Sequence, residues 1–114
     1  MIKLEFNERC DMVYELLELL KDNKLNNSQK RKIYEIVKGF TNRTEKQKER
    51  FFLFYNLDEG ENKNYRLCDL ALLYNCTSGC IRTAIGRIRY NLIYSDAESL
   101  AIMKDILEEY HKNN

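Results

Sequence analysis

Apolar residues recur at three- and four-residue spacing through most of this chain, and that period predicts helices. From about Asn7, Cys10, Val13, Leu17 and Leu20 form one stripe, widened by Met12, Leu16 and Leu19. A polar connector over 22–27 follows, and Ser28 is suited to cap a second helix. Ile33, Ile36, Val37 and Phe40 supply that helix's buried side, and Gly39 marks its end. Thr44 and Gln47 have capping-box spacing, in which each side chain satisfies the other residue's free backbone N–H. The third helix is charged through Arg50 and wholly apolar over Phe51, Phe52, Leu53, Phe54 and Tyr55. Consecutive apolar residues cover every side of a helix, so a second element must cover what the core does not. The N-terminal helix pair, a partner surface or a second copy of the chain would each serve.

A polar loop over 57–64 precedes the fourth stripe, Leu67, Leu70, Ala71 and Tyr74. Asn75, which tolerates the left-handed conformation, stands where the chain must turn sharply. Thr77 caps a fifth helix that buries Ile81, Ala84, Ile85, Ile88 and Leu92. Ser95 and Glu98 have the spacing of another capping box. The helix it starts carries Leu100, Met103, Leu107 and Tyr110, with Ile102 and Ile106 beside them, and would pack on the N-terminal pair or form a dimer. Ile2, Leu4 and Phe6 alternate over too short a run to separate strand from lead-in. The expectation is an all-α fold of about six helices, the fourth and fifth forming a helix-turn-helix. Its parts are a helical pair over 1–43, the helix-turn-helix unit over 44–94 and a terminal helix over 95–114, in one compact domain.

The outer face of the fifth helix carries the functional signal. At about 100° per residue, Gly79, Thr83, Gly86 and Tyr90 fall opposite the isoleucines. Arg82 and Arg89 lie near one edge of that face, and Arg87 near the other. Each glycine costs a solvated helix up to about 1 kcal/mol relative to alanine. A thin face flanked by arginines suits a helix lying in a DNA major groove, with cations reaching the phosphates on both walls. The other reading is close packing of a protein helix against the same small residues.

The run Thr77-Ser78-Gly79-Cys80-Ile81-Arg82-Thr83-Ala84-Ile85-Gly86-Arg87-Ile88-Arg89 resembles the recognition helix of bacterial sigma-factor region four, nearest the extracytoplasmic-function type. The preceding Leu70-Ala71-x-x-Tyr74-Asn75-Cys76-Thr77 resembles that family's Ile-Ala-x-x-Leu-Gly-Val-Ser. Phe51–Leu57 is similar to its upstream apolar helix, so the likeness covers Thr44 to Tyr94. The resemblance implies binding of a promoter element in duplex DNA, with RNA polymerase as protein partner. Ser78, Arg82, Thr83 and Arg87 match the family's base- and phosphate-contacting positions. Arg66 and Arg89 are expected to assist on phosphates. Ala84 and Tyr90 depart from the long polar residues that many members carry there. The 43 residues before Thr44 are too few for the family's region two, so the chain is not expected to initiate transcription alone.

Composition narrows the class. The chain of 114 residues has no proline and only four glycines. Its net charge is +1, but residues 65–94 carry four Arg against one Asp, whereas 95–114 carry two Lys against five acids. The positive excess therefore sits on the fourth and fifth helices, as an anion's footprint would. Cys10, Cys68, Cys76 and Cys80 lack paired metal-ligand spacing and read as free thiols, with Cys76 in the core and Cys68 and Cys80 half-exposed. No metal and no cofactor is expected. His111 is the single histidine, with no nucleophile–base set around it, so no enzyme is expected. The absence of a long apolar run excludes a membrane span, and a cytoplasmic protein is the expectation. Two functions emerge: a DNA-binding transcription regulator or minimal sigma-like factor, or an adaptor of sigma-like fold that binds polymerase, a sigma factor or itself.

Overall fold

Each apolar stripe resolves into a helix in the computed structural model, which describes residues 4–57 and 63–113. The described residues form six helices and no strand: α1 Phe6–Lys21, α2 Asn27–Lys38, α3 Glu45–Phe54, α4 Leu67–Leu73, α5 Ser78–Ile93 and α6 Ala97–Asn113. The all-α expectation thus stands. The polar loop lies largely on 58–62, and Ile2 on 1–3, both outside the described residues.

Packing proceeds in two directions from α1. On one side, α1, α3 and α4 pack around α5; on the other, α6 lies against α1 and α2. Val13, Leu16, Leu20, Ile33, Val37, Phe51, Leu70, Ile81, Ile88, Leu92 and Met103 are fully shielded and belong to one continuous core. The aromatic run of α3 is divided among neighbours. Phe51 enters the core, the Phe52 ring stacks 4.5 Å from Tyr34 of α2, and Phe54 lies beneath Lys21 Nζ of α1 at 3.8 Å. The N-terminal pair therefore covers the surplus apolar side of α3, and α6 covers the pair.

Two helix ends, those of α2 and α6, depart from the sequence reading, and α4 starts without a side-chain cap. α2 is capped by Asn26, not Ser28: Asn26 Oδ1 accepts from Gln29 N–H at 2.8 Å, and Gln29 Oε1 accepts from Asn26 N–H at 2.9 Å. α6 is capped by Asp96 one residue after Ser95, with Asp96 Oδ1 accepting from Ser99 N–H at 2.8 Å. Ser95 turns back and donates to Leu92 O at 2.7 Å. At α4, Arg66 has no acceptor to offer, and Asp69 fills the gap by accepting from Arg66 N–H at 2.9 Å. Thr44 and Gln47 form the expected reciprocal pair.

Asparagine makes the tight turns. Asn23, Asn56, Asn64 and Asn75 adopt φ values of 57°, 59°, 50° and 51°. Asparagine enters this left-handed region at less cost than other residues with a Cβ. Gly39 ends α2 at φ −76°, where any residue fits. Buried polar groups join the helices. Lys21 Nζ donates to the carbonyls of Phe54 and Tyr65, and Lys48 Nζ donates to Lys38 O at 2.9 Å, both at helix C-terminal ends where a cation is favoured. Gln29 Nε2 reaches Glu109 of α6 at 3.1 Å, and Asn56 Nδ2 reaches Leu20 O at 3.3 Å.

Two measurements check this fold. Asn75→Ala is expected to lower unfolding stability by about 1 kcal/mol, and Asn75→Gly to leave it unchanged or raised, since glycine accepts φ near +50° freely. The second concerns acid. A side-chain hydrogen bond from Arg66 holds Asp69 below the usual carboxylate range, and the Ser99 backbone N–H does the same for Asp96. The unfolded chain therefore binds these protons first, as the pH falls to about 4. Their contribution is present above that pH and lost as the pH falls through the depressed folded values. Urea midpoints should decline with acid, and Asp69→Asn with Asp96→Asn should flatten the decline.

Candidate nucleic-acid interface

α5 is fixed from below and from its start. Thr77 Oγ1 accepts from Cys80 N–H at 3.1 Å, satisfying one free donor of the first turn. Ile81, Ala84, Ile85, Ile88 and Leu92 are all at most 4% exposed, so the helix cannot roll about its axis without uncovering them. α4 leads in through Asn75, whose N–H donates to Leu72 O, while Cys76 N–H donates to Ala71 O.

The opposite face is open. Gly79 and Thr83 are exposed and Gly86 is half-buried, with no terminal segment over them among the described residues. Thr83 Oγ1 donates to Gly79 O at 2.9 Å and lies close along the helix. A methyl group placed on Gly79 would come no nearer than 3.8 Å to Thr77 Oγ1, and one on Gly86 no nearer than 3.6 Å to an Arg89 nitrogen. Both are ordinary contact distances, so internal packing does not require either glycine. Tyr90 ends the line, 56% exposed, its ring 4.6 Å from that of Tyr94.

The predicted site residues divide. Ser78 opens α5 half-buried, and Arg82, Thr83 and Arg87 are exposed on it. Arg82 and Arg87 make no intramolecular bond among the described residues. Arg89 differs from expectation. It is half-buried, its guanidinium lies 5.2 Å from the centre of the Tyr14 ring, and its charge acts on the Tyr55 hydroxyl. It ties α5 to α1 and α3, because its position turns it toward the protein and away from the exposed edge. Burial pushes the Tyr55 hydroxyl above its ordinary value, and Arg89 opposes that shift. Arg66 is exposed at the start of α4. It closes on Asp69 with two contacts of 3.2 Å, Nε to Oδ2 and Nη2 to Oδ1, and reaching a phosphate would mean giving up that pair.

α3 supplies residues that the sequence reading passed over. Gln47 and Arg50, one turn apart, join Thr77, Gly79, Cys80, Thr83, Ala84 and Arg87 around an open notch of about 320 Å³. Arg50 lies 4.8 Å from the centre of the Tyr74 ring, and its Nη1 donates to Cys80 Sγ at 3.9 Å. The three-residue spacing of Gln47 and Arg50 was the available signal, but it does not say which helix they face. Cys80 and Cys68 are exposed and Cys76 is half-buried. Partial desolvation and the neighbouring Cys80 hold the Cys76 thiol above its ordinary range. Among the described residues no cluster of His, Cys, Asp or Glu is arranged to hold a metal ion. No described helix is long and apolar enough to cross a membrane. His111 lies on the surface of α6, its Nε2 2.7 Å from Glu15 of α1.

Gly86→Ala tests whether the fold needs the bare surface. It should raise unfolding stability by about 1 kcal/mol, the mid-helix glycine penalty, in urea or thermal denaturation. A loss of stability would mean that the fold itself requires glycine there.

Compared with protein-family models, curated proteins and solved structures, the chain finds no match. The sigma-factor likeness therefore rests on the residues quoted above.

Proposed function

We propose that the chain is a duplex-DNA-binding transcription regulator whose α4–α5 unit works as a helix-turn-helix, with α5 in the major groove. The observation that carries this reading is the line of exposed Gly79 and Thr83 and half-buried Gly86, beside which Arg82 and Arg87 have no partner within the described residues. Two glycines that packing does not require are explained by an external body that approaches the backbone closely. Unpaired arginines on a rigid helix make that body an anion, and the helix's diameter suits the major groove. Arg82 and Arg87 would reach phosphates or guanine edges, Thr83 and Ser78 would contact base edges or sugars, and Arg50 would supply a third cation from α3. Arg89 acts within the fold, and Arg66, exposed beside Asp69, would assist on a phosphate. Polymerase remains the protein partner that the sigma-like pattern implies.

An adaptor role has an observation of its own. Leu72 and Leu73 on α4 are 83% and 59% exposed, and an adjacent apolar pair at the surface fits a protein partner. Fluorescence anisotropy with labelled duplex DNA decides between the two. Three phosphate contacts predict log K falling with log salt at a slope of about −3. Arg82→Ala and Arg87→Ala should each flatten that slope by about 1. Gly86→Ala should weaken binding while the protein remains fully folded. Undetectable or salt-independent binding at low salt, unchanged by both arginine variants, would favour the adaptor.

A further inference from the structure

An open cleft of about 750 Å³ lies between α2, the chain ahead of α3, the end of α5 and the start of α6. That volume is in the range that holds a small molecule. Its apolar walls are Ile36 and Phe40 from the α2 side, Tyr90 and Tyr94 from the end of α5, and Ile102 from α6. Tyr90 and Tyr94 are 56% and 51% exposed. Their ring centres are 4.6 Å apart, and the Phe6 ring of α1 lies 5.7 Å from that of Tyr94. These rings are held by one another yet left uncovered, which suits a surface on which a flat molecule stacks.

Polar groups narrow the chemistry. Asn91 Nδ2 donates to Asn42 Oδ1 at 2.6 Å, and Arg43 Nη2 donates to Asn91 Oδ1 at 3.1 Å. Both of these asparagines line the cleft. Asn42 is exposed, and among the described residues this pairing leaves its amide N–H groups and one oxygen lone pair for a ligand. One amide then presents donor and acceptor side by side, as the edge of a heteroaromatic base does. Charge disfavours an anionic occupant. The lining carries Arg31 and Lys32 against Glu35, Asp96 and Glu98. Arg31 is held 3.2 Å from Glu35, and Asp96 is engaged by the Ser99 N–H. Lys32 on α2 and Glu98 on α6 are exposed and opposite in sign.

We propose that this cleft binds an uncharged heteroaromatic molecule of the nucleobase or nucleoside class. The ring stacks on Tyr90 and Tyr94, its hydrogen-bonding edge meets the Asn42 amide, and Ile36, Phe40 and Ile102 supply the remaining apolar contact. Aromatic stacking combined with hydrogen bonds to the edge is how proteins hold unpaired bases in general. A nucleic-acid strand is a poor occupant, because its phosphates would enter a lining with more carboxylates than cations. Tyr90 and Asn91 belong to α5, so the occupant braces the C-terminal end of that helix against α2 and α6. The site goes beyond the function proposed above and does not depend on it; only an effect on duplex affinity would.

The experiment uses the full chain labelled with heavy nitrogen and followed by amide chemical shifts. Adenosine, guanosine, cytidine and uridine are titrated separately, with ribose as the ring-free control. At least one nucleoside should shift amides centred on Asn42, Asn91, Tyr94 and Ser99, and ribose should shift none. The corresponding nucleoside monophosphate should bind no more tightly. Tyr94→Ala should weaken nucleoside binding about tenfold, whereas Tyr94→Phe, which keeps the ring, should retain it. Asn42→Ala should also weaken it, with the thermal midpoint of each variant near that of the parent. No cleft shifts with any of the nucleosides at millimolar concentration would overturn the proposal. So would tighter binding of the monophosphate, or an affinity that neither Tyr94→Ala nor Asn42→Ala alters. Duplex anisotropy on the same protein keeps the two readings apart. Cleft shifts in a protein that never binds duplex sink the DNA reading and leave the nucleoside site standing; duplex binding without cleft shifts does the reverse.

Discussion

Burial of the aliphatic underside of α5 is the constraint from which the remaining geometry follows. Ile81, Ile85, Ile88 and Leu92 occupy successive turns, and α1, α3 and α4 close on them from one side. Burying each such side chain contributes roughly 1.5–3 kcal/mol, so together they fix the rotation of the helix. Once that rotation is fixed, the fate of every other α5 residue is decided. Positions near the seam, such as Arg89, meet α1 and α3; positions opposite it meet only solvent. The open face and the tied arginine are two outcomes of one packing decision.

Polar groups then hold the helices in register without adding core volume. Lys21 and Lys48 both direct ammonium groups at carbonyls that helices leave unsatisfied at their C-terminal ends. Lys21 also contacts the carbonyl of Tyr65, just ahead of α4, so the end of α1 steadies the approach to the α4–α5 unit. Burial pushes the Lys21 amine below its ordinary value, with Asp69 opposing. That is the expected consequence of trading water for two carbonyls and the face of Phe54.

The use of asparagine and glycine separates backbone demands from surface demands. Left-handed turns are made by Asn23, Asn56, Asn64 and Asn75, each of which has a side chain that can also hydrogen-bond. Asn56 uses its amide to reach Leu20 O within the core. Gly79 and Gly86, by contrast, stand in regular helix, where their flexibility is a liability. Turn geometry therefore accounts for the asparagines and not for these glycines, which leaves their small size as the property that matters.

The six helices, their apolar stripes and the turn at Asn75 were legible in the sequence because helical periodicity and turn chemistry are local. The reciprocal cap of Thr44 and Gln47 was legible for the same reason. Caps at α2 and α6 were misread by one or two residues, since Asn26 against Ser28, and Asp96 against Ser95, are rivals of similar propensity. Tertiary structure alone decided which arginines are available. Arg82, Arg87 and Arg89 look alike in a list of residues, but Tyr14 and Tyr55 come from helices distant in sequence, and only their packing removes Arg89 from the exposed face. It likewise brought Gln47 and Arg50 of α3 to the rim of the notch beside α5. A periodic pattern specifies which side of a helix is buried; which neighbour buries it depends on how all six helices close on one core.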